Sequence, residues 1–280
     1  MIKGKLMRYS AFSAKPSGGN PAGVWIGNEL PTKAEMQTVA RRVGYSETAF
    51  IAPITSFART VRYFSPEIEV PFCGHATIAS GVVLGSIDGP GTYMFSTLAG
   101  DIPVSVTELN GQLRAALTSV EPKTAAVTVD LVEEVLRTLA WTTADLSSAI
   151  PPIRAYAGAW HLVLAVDRHE RLNQLDYDFD ALKSLMEREG FTTIQLVWRE
   201  TDHKFHSRNP FPVGGVVEDP ATGAAAAALG GYLREKRLVQ VPAQILIHQG
   251  EAMGRPSRID VEIPEIGGIV VSGTAVKISE

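Results

Sequence analysis

The segment EDPATGAAAAALGGYL, residues 218–233, brings together two features that bear on chemistry. Two adjacent carboxylates, Glu218 and Asp219, stand at its beginning, and five consecutive alanines follow with no charge before Arg234. A carboxylate in this place can cap a helix or act as a general acid or base. A long run of small residues is typical of a helix that is buried on every side. The segment therefore predicts a buried helix with two carboxylates at its start.

Few other residues suggest metal or nucleophilic chemistry. The single cysteine, Cys73, excludes an internal disulfide and a multi-cysteine metal site. His203 and His206 are three apart on a predicted strand, so we expect their side chains to point to opposite faces and not to share a metal. No HExxH, CxxC or nucleotide-binding glycine motif occurs. The sequence thus provides no motif for a metal or a nucleotide cofactor.

The composition is that of an ordinary globular protein, with 45% apolar and 20% charged residues. The length of 280 residues suits two domains of about 140 each. A net charge of -4 without a Lys/Arg block argues against nucleic acid, and no apolar stretch approaches the ~20 residues that span a bilayer. The start, MIKGKLMRYSAF, lacks the features of a secretory signal. We therefore expect a soluble cytoplasmic protein without nucleic-acid or membrane partners.

Hydrophobic periodicity predicts strands that alternate with a few helices. TKAEMQTVARRVG predicts a helix that ends at Gly44, and GHATIASGVVLG is apolar nearly all round, as a helix surrounded by sheet must be. Further helices are predicted near 128–139, over FDALKSLMEREG and over the alanine segment. The predicted strands include KLMRYSAF, AGVWIG, ETAFIAP, ARTVRYF, WHLVLAV, TTIQLVW, KFHSR, QILIHQG, RIDVEI and GIVVSGTAVKI.

An internal repeat relates the two halves of the chain. RVGYSETAFI from Arg42 aligns with REGFTTIQLV from Arg188, and the same offset of about 146 places Arg62 on Arg208. After a short insertion in the second copy, EVPFCGHA aligns with EDPATGAA. The chain therefore looks like two copies of one α+β unit, in which small residues let strands close around a buried helix.

Function should show where the two copies differ, because the repeat accounts for the fold. Glu47 faces Thr193, His75 faces Ala224, and Asp219 faces Val70. Each of these ionisable residues occurs in one copy alone, so the packing that the copies share does not require it.

These motifs resemble the PhzF family, the phenazine-biosynthesis isomerases and their relatives. The resemblance runs in order over nearly the whole chain and is carried by GNPAGV, YSETAF, RYFSPEIEVPFCGHATIASG, EDPATGAAAAALGGYL and QGEAMGRPS. It implies an α+β, diaminopimelate epimerase-like fold, in which two similar domains each form a curved, mostly antiparallel sheet around a central apolar helix, with the active site in the cleft. We assign residues 1–120, with 263–280 as a returning segment, to the first domain and residues 121–262 to the second.

The resemblance implies a cofactor-independent isomerase in which Glu47 moves a proton across an allylic system while His75 and Asp219 assist. Taken alone, Glu47 could be a solvated carboxylate at a strand end, although its lack of a counterpart favours a base whose pKa is raised by burial. Asp219 before Pro220 is equally consistent with a helix N-cap. His75 could be a core histidine, or a neutral imidazole at a helix start that contacts the substrate.

The predicted substrate-binding residues are Gly74, Gly223, Ala224 and Asn20. The two glycines open predicted helices, whose first N–H groups can bind an anion such as a carboxylate. Their alternative role is to permit close packing at the helix start. Ala224 stands where the family usually has Ser, which disfavours the phenazine substrate itself. Asn20 lies in the GNPAGV motif that resembles the family.

Cys73 separates this chain from the two-base epimerases of the same fold, which use a pair of facing thiols. Thr222 lies opposite Cys73 in the repeat, and the chain has no second cysteine. We therefore exclude a two-thiol racemisation and interpret Cys73 as a small buried apolar residue.

The favoured function is an isomerase that moves a proton on a small unsaturated or cyclic (amino-)carboxylic acid. The alternative is a catalytically silent PhzF-like protein that binds a metabolite or a protein partner. The presence of Glu47, His75 and Asp219 together favours the enzyme. A small carboxylate is the expected partner, and a homodimer is an assembly to test.

Overall fold

The computed structural model describes residues 3–279, and the chain divides into two compact units. Unit 1 comprises Met1–Thr118 with Ser272–Glu280, and unit 2 comprises Ser119–Val271. Between residues 3 and 279, no helix combines the length and apolar character needed to cross a membrane.

Unit 1 begins with a strand hairpin and contains the first two helices of the chain. Its helices are α1 (Lys33–Val43) and α2 (Gly74–Asp88). Its strands before the chain enters unit 2 are β1 (Lys5–Ala11), β2 (Asn20–Ile26), β3 (Glu47–Pro53), β4 (Ala58–Phe64), β5 (Glu69–Val70), β6 (Gly91–Thr97), β7 (Gly100–Leu109) and β8 (Gln112–Thr118).

Unit 2 contains the remaining helices, which are α3 (Val129–Thr138), α4 (His169–Asn173), α5 (Phe179–Glu189) and α6 (Gly223–Glu235). Its strands are β9 (Lys123–Ala125), β10 (Ile153–Tyr156), β11 (Trp160–Val166), β12 (Thr193–Thr201), β13 (Lys204–Phe211), β14 (Val216–Asp219), β15 (Ala243–Gln249) and β16 (Ser257–Ile263). The final strand, β17 (Val270–Lys277), ends in unit 1, where it pairs antiparallel with β1.

The same order of strand pairing occurs in each unit. In unit 1, β2 pairs parallel with β3 across α1, and β4 pairs parallel with β6 across α2. In unit 2, β11 pairs parallel with β12 across α4 and α5, and β13 pairs parallel with β15 across α6. The other strand pairs are largely antiparallel hairpins, so each unit has a mixed sheet. Parallel neighbours need such a crossover connection, which places a helix against the sheet.

Helix α2 is buried from His75 to Gly85 and packs on β1, β2, β3, β7 and β8. It carries no charged residue before Asp88, because every face meets strands rather than water. Glycine at position 81 allows this approach. A Cβ atom there would lie 2.8 Å from the Ala115 side chain and 2.9 Å from that of Val104. The strands therefore lie closer to the helix than a larger residue would permit.

Helix α6 has the corresponding place in unit 2, where it packs on β9, β10, β11 and β16. Its alanines at 225–228 are all buried. A Cβ atom at Gly231 would lie 2.3 Å from the Pro122 side chain, so the helix also lies close to the segment before β9. The alanine run thus has the small side chains that close packing on several strands requires.

The amphipathic helices lie outside these helix–sheet layers. A capping box between Thr32 and Glu35 starts α1, and Gly44 ends it in the left-handed conformation, as the sequence predicted. One face of α1 packs on Trp25, Phe50 and Phe64. In unit 2, α3 and α5 pack through their leucines and valines on β11 and β12. Each of these helices thus buries one apolar face and leaves the other exposed.

Candidate active site

Glu47 is the first residue of β3, where it pairs with Ala22 on the parallel strand β2. Its side chain is only 16% exposed. Burial raises the pKa of the Glu47 carboxyl above its usual range, while hydrogen bonds from Ser46 and Cys73 act in the opposite direction. The carboxylate is therefore a stronger proton acceptor than one in water.

His75 and Cys73 surround the same carboxylate oxygen of Glu47. The thiol of Cys73 donates to Oε2 at 3.5 Å, and Nε2 of His75 lies 3.4 Å from it. Sγ of Cys73 is also 3.3 Å from Nδ1 of His75, and the hydroxyl of Ser46 is 3.4 Å from Nε2. These four side chains form one hydrogen-bonded cluster at the start of α2.

The interpretation of Cys73 as an apolar residue is wrong. Cys73 is the N-cap residue of α2 and is buried, but its thiol contacts both Glu47 and His75. The sequence concealed this contact because Glu47 is 26 residues away. A thiol is a weak hydrogen-bond donor, yet here it is a donor to the residue proposed as the base.

The other predicted binding residues of unit 1 lie near this cluster in the fold. Asn20 is buried at the first position of β2, two residues before Ala22, which pairs with Glu47. Gly74 is the first residue of α2, directly between Cys73 and His75. Among the described residues, α2 has no side-chain hydrogen bond from its N-cap residue. Its first turn is therefore not capped by a side chain.

Asp219 is not a helix cap, contrary to one of the two roles that the sequence left open. It is the last residue of β14, and helix α6 begins four residues later at Gly223 with Thr222 as the N-cap residue. The hydroxyl of Thr222 donates to Oδ2 of Asp219 at 2.6 Å. Asp219 is 8% exposed. Its carboxylate is therefore held in place before the helix starts.

Gln249 fixes the turn between Asp219 and α6, and the sequence did not single it out. Its amide donates to the carbonyl of Asp219 at 2.7 Å and to the hydroxyl of Thr222 at 3.0 Å, and its Oε1 accepts from the Thr222 N–H at 3.2 Å. Gly250 has a φ of 75°, and a Cβ there would lie 2.7 Å from the Pro220 carbonyl oxygen. Gln249 and Gly250, the first two residues of the motif QGEAMGRPS, therefore hold the segment EDPATG in place.

The N-terminal end of α6 contains the two remaining predicted binding residues. Gly223 is the first residue of the helix and is buried, and Ala224 is the second and is half-buried. Among the described residues, the N-cap Thr222 makes no side-chain capping bond to the helix, because its hydroxyl donates to Asp219 instead. Ala224, the second residue of α6, provides no hydroxyl group in the first turn of the helix.

Glu218, the neighbour of Asp219, has a structural partner. Arg208 binds it through two parallel contacts, Nη2 to Oε2 at 2.6 Å and Nε to Oε1 at 3.1 Å. Unit 1 has the same pair in Arg62 and Glu69, with distances of 2.6 and 2.5 Å. The internal repeat aligns Arg62 with Arg208 and Glu69 with Glu218. Of the two carboxylates that open the alanine segment, Glu218 binds Arg208 and Asp219 accepts a hydrogen bond from Thr222.

Unit 2 has a buried polar network at the position that corresponds to Glu47 in unit 1. Thr193, the counterpart of Glu47, pairs with His161 on β11, and Nδ1 of His161 lies 2.8 Å from its hydroxyl. Thr193 in turn donates to Oδ1 of Asn209 at 2.9 Å. Burial lowers the pKa of His161 to about 3, so the ring is neutral at pH 7. This network has no carboxylate base.

Among the described residues, two groups of side chains could hold a metal ion. One is Glu47, Cys73 and His75, whose ligand atoms lie within 4.8 Å of one another. The other is His169, His206 and Glu251 in unit 2. The first coincides with the candidate active site, where the three groups also suit proton transfer without a metal.

Comparison with known proteins identifies the family of the chain. A sequence profile of the PhzC-PhzF family, described as "Phenazine biosynthesis-like protein", matches residues 9–280. The chain belongs to this family. The "Uncharacterized isomerase YfhB" of Bacillus subtilis (strain 168) is 31% identical over 286 residues, covering 99% of this chain and 97% of the relative. The membership confirms the resemblance seen in the sequence.

One similar family member has a named reaction. The trans-2,3-dihydro-3-hydroxyanthranilate isomerase of Pseudomonas chlororaphis is 30% identical over 275 residues, covering 95% of this chain and 94% of that protein. The crystal structure of the PhzF-family protein of Bacillus anthracis superposes with a TM-score of 0.87 at 24% identity, covering 98% of each chain. The fold is therefore that of PhzF-family proteins, and the protein is an enzyme of the isomerase type.

Proposed function

We propose that the protein is a cofactor-independent isomerase in which Glu47 acts as general base and then as general acid. The carboxylate removes a proton from a saturated carbon next to a C=C bond and returns it to the far carbon of the allylic system. One C–H bond breaks, another forms, and the double bond shifts, so no oxidant or reductant is needed. The observation that carries the proposal is the contact of the buried Glu47 carboxylate with Cys73 and His75.

The environment of Glu47 suits the removal of a proton from carbon. Carbon acids are weak, so a base whose pKa is raised by burial transfers the proton with a smaller free-energy gap. The donors Cys73 and Ser46 limit this rise and hold the carboxylate in one orientation. His75, at the second position of α2, has a ring that can exchange a proton with Glu47 or with substrate.

We propose that Asp219 assists the reaction. Support comes from its position: the hydroxyl of Thr222 donates to its buried carboxylate, and the amide of Gln249 donates to its backbone carbonyl. Its counterpart in the repeat is Val70, so the fold that the two units share does not require a carboxylate at this position. The Asp219→Ala substitution would remove the hydrogen bond from Thr222, not a helix cap.

The roles of Glu47 and Asp219 rest in part on an internal duplication, which we infer from the two units. Both units have a strand–helix–strand crossover at the same places, and both have the bidentate pairs Arg62–Glu69 and Arg208–Glu218. The insertion in the second copy follows Pro212, where the chain forms a 3-10 turn over Pro212–Gly214. Glu47 has no carboxylate counterpart in unit 2, so the packing that the two units share does not require it.

We propose a small unsaturated or cyclic amino-carboxylate as the substrate class. The named substrate of the Pseudomonas chlororaphis relative is a compound of this class. The starts of α2 and α6 each have a partial positive charge and no side-chain cap, which suits a substrate carboxylate at Gly74 or Gly223. Ala224 provides no hydroxyl, so we expect the preferred acid to differ in the group that a serine would contact.

Solvent-deuterium exchange tests the proposal. The protein is incubated in D₂O with trans-2,3-dihydro-3-hydroxyanthranilate and a panel of cyclic and unsaturated amino acids, and deuterium in each acid is followed by NMR. We expect incorporation at an allylic carbon of at least one acid. If these acids raise the melting temperature of the protein but no deuterium enters them, the protein binds the acids without catalysis. That is the alternative function.

A paired ligand series tests the carboxylate preference separately. Each acid is compared with its primary amide by the shift in melting temperature that it produces. We expect a larger shift with the acid, because only the anion interacts favourably with the helix starts. Equal shifts for acid and amide would show that Gly74 and Gly223 serve packing alone.

A further inference from the structure

A second group of metal-ligating side chains lies in unit 2. We call it the histidine cluster and define it as His169, His206 and Glu251, whose ligand atoms all lie within 4.8 Å of one another. His169 begins α4, His206 lies in β13, and Glu251 begins the 3-10 turn Glu251–Met253 that follows β15. The three residues come from separate parts of the chain, so no sequence motif reveals them.

Aromatic rings on three adjacent strands support the cluster. In the sheet register, His206 pairs with Trp198 of β12 on one side and with His248 of β15 on the other. The His248 ring stacks on that of His206 at a centroid distance of 5.2 Å, and the Trp198 ring stacks on that of His169 at 4.6 Å. These contacts fix the planes of both imidazoles before any ligand binds. His203 is outside the group, because β13 begins after it and its Nδ1 lies 3.2 Å from the Gln244 carbonyl oxygen.

His206 lies between two carboxylates. Its Nε2 is 2.7 Å from Oε2 of Glu200, and its Nδ1 is 3.0 Å from Oε2 of Glu251. The His206 side chain is only 11% exposed. When its Nε2–H is directed at Glu200, the Nδ1 lone pair is directed at the side where Glu251 lies, so a cation there would contact both Nδ1 and the Glu251 carboxylate.

We propose that His169, His206 and Glu251 bind a Zn²⁺ ion, with Glu200 holding Nε2–H of His206 so that Nδ1 faces the metal. Two imidazole nitrogens and one carboxylate oxygen form a set that Zn²⁺ prefers over Mg²⁺ or Ca²⁺. Three protein ligands leave the fourth tetrahedral position to water. A carboxylate that orients a liganding histidine through its second nitrogen is a frequent feature of zinc sites.

The distances suit zinc after a small movement. Bonds of about 2.0–2.2 Å place two tetrahedral ligand atoms roughly 3.4 Å apart. Nδ1 of His206 and Oε2 of Glu251 are already 3.0 Å apart. The widest separation in the cluster is under 4.8 Å, and the Glu251 side chain, which is 49% exposed, can move to close it.

Zinc titration in Cys73→Ser protein tests the proposal, because this substitution removes the thiol of the other metal-capable group. After treatment with a chelator, the protein is titrated with ZnCl₂ by calorimetry. We expect one equivalent to bind. His206→Gln and Glu251→Gln, each added to Cys73→Ser, should weaken binding by about 10-fold or more, and Glu200→Gln by about 10- to 100-fold. His203→Gln is the matched control and should leave the affinity unchanged.

Cobalt spectroscopy identifies the ligands directly. Co²⁺ bound to wild-type protein at the histidine cluster should show visible d–d bands that disappear in Glu251→Gln, an exposed change that does not threaten folding. Bands accompanied by a thiolate-to-cobalt charge-transfer band that is lost in Cys73→Ser would place the metal at Glu47, Cys73 and His75 instead. That result, no zinc binding in Cys73→Ser, or His206 and Glu251 variants that bind zinc as tightly as the Cys73→Ser parent would overturn the proposal.

Discussion

Nε2 of His75 lies 3.4 Å from Oε2 of Glu47, and the thiol of Cys73 donates to the same oxygen at 3.5 Å. The His75 contact is long for a hydrogen bond and a thiol is a weak donor, so both stabilise the carboxylate anion only weakly. Burial therefore dominates, and the pKa of Glu47 is raised. A base with tighter partners would be held as an unreactive anion, whereas this one retains affinity for a proton.

The raised pKa of Glu47 predicts a pH-dependent effect of Glu47→Gln on stability. The folded protein binds this proton more tightly than the unfolded chain does, so protonation stabilises the fold at low pH, and that contribution is lost as pH rises through the folded pKa. We expect Glu47→Gln to become more stable relative to wild type as pH increases from about 4, until Glu47 is fully ionised. Melting temperatures of both proteins across this range test the prediction, and a constant difference would contradict it.

Loss of the Cys73 thiol should shift the pH dependence of catalysis. The thiol donates to Glu47 and so lowers its pKa against the effect of burial. Cys73→Ala removes the donor, and we expect the acid limb of the pH–rate profile for deuterium exchange to move to higher pH. Cys73→Ser keeps a donor and should restore the limb toward its original position. If Ala and Ser variants have the same acid limb as wild type, Cys73 does not act on Glu47.

Buried His161 predicts acid instability of unit 2. Its pKa of about 3 lies below that of an unfolded histidine, so the unfolded chain binds one more proton between about pH 6.5 and pH 3. Stability is present above this window and falls as pH decreases through it, by up to about 1.4 kcal/mol per pH unit. We expect His161→Gln to reduce that slope, as measured by urea unfolding at several pH values. Exposed His203→Gln is the control, and equal slopes for the two variants would refute the assignment.

The two arginine–glutamate pairs should respond unequally to loss of the arginine. Arg208→Met leaves Glu218, whose side chain is 2% exposed, without its partner, and we expect a loss of roughly 3–5 kcal/mol in unfolding free energy. Arg62→Met should cost less, because Nζ of Lys33 remains 3.3 Å from Oε2 of Glu69. Urea unfolding measures both losses. A larger loss for Arg62→Met would contradict this ranking.

Local sequence signals predicted much of the secondary structure. Strands at 47–53, 58–64 and 160–166 have the bounds that alternation indicated, and the first helix ends at Gly44 as its cap predicts. The sequence missed β14 and α4, because four residues ending in two carboxylates and a five-residue polar helix have no readable period. Such short elements depend on contacts with distant parts of the chain.

The candidate site was predictable where a residue differs from its repeat partner, as Glu47 and His75 do. Cys73 and Gln249 were not, since their contacts join residues that are 26 and 27–30 positions apart. The role of Asp219 as a helix cap was wrong for a related reason. Its Asp-Pro pair is typical of a helix start, but β14 extends through Asp219 by pairing with Asn209, so the helix begins only at Gly223.

The most direct measurement is the rate of deuterium incorporation by Glu47→Gln, using the acid that wild-type protein exchanges fastest. Glu47→Gln keeps the size of the side chain and one acceptor oxygen but cannot accept the proton, so we expect a fall of about 10²-fold or more with an unchanged fold. Glu108→Gln, on an exposed position of β7, is the matched control and should exchange at the wild-type rate. An undiminished rate in Glu47→Gln would contradict the assignment of Glu47 as the base.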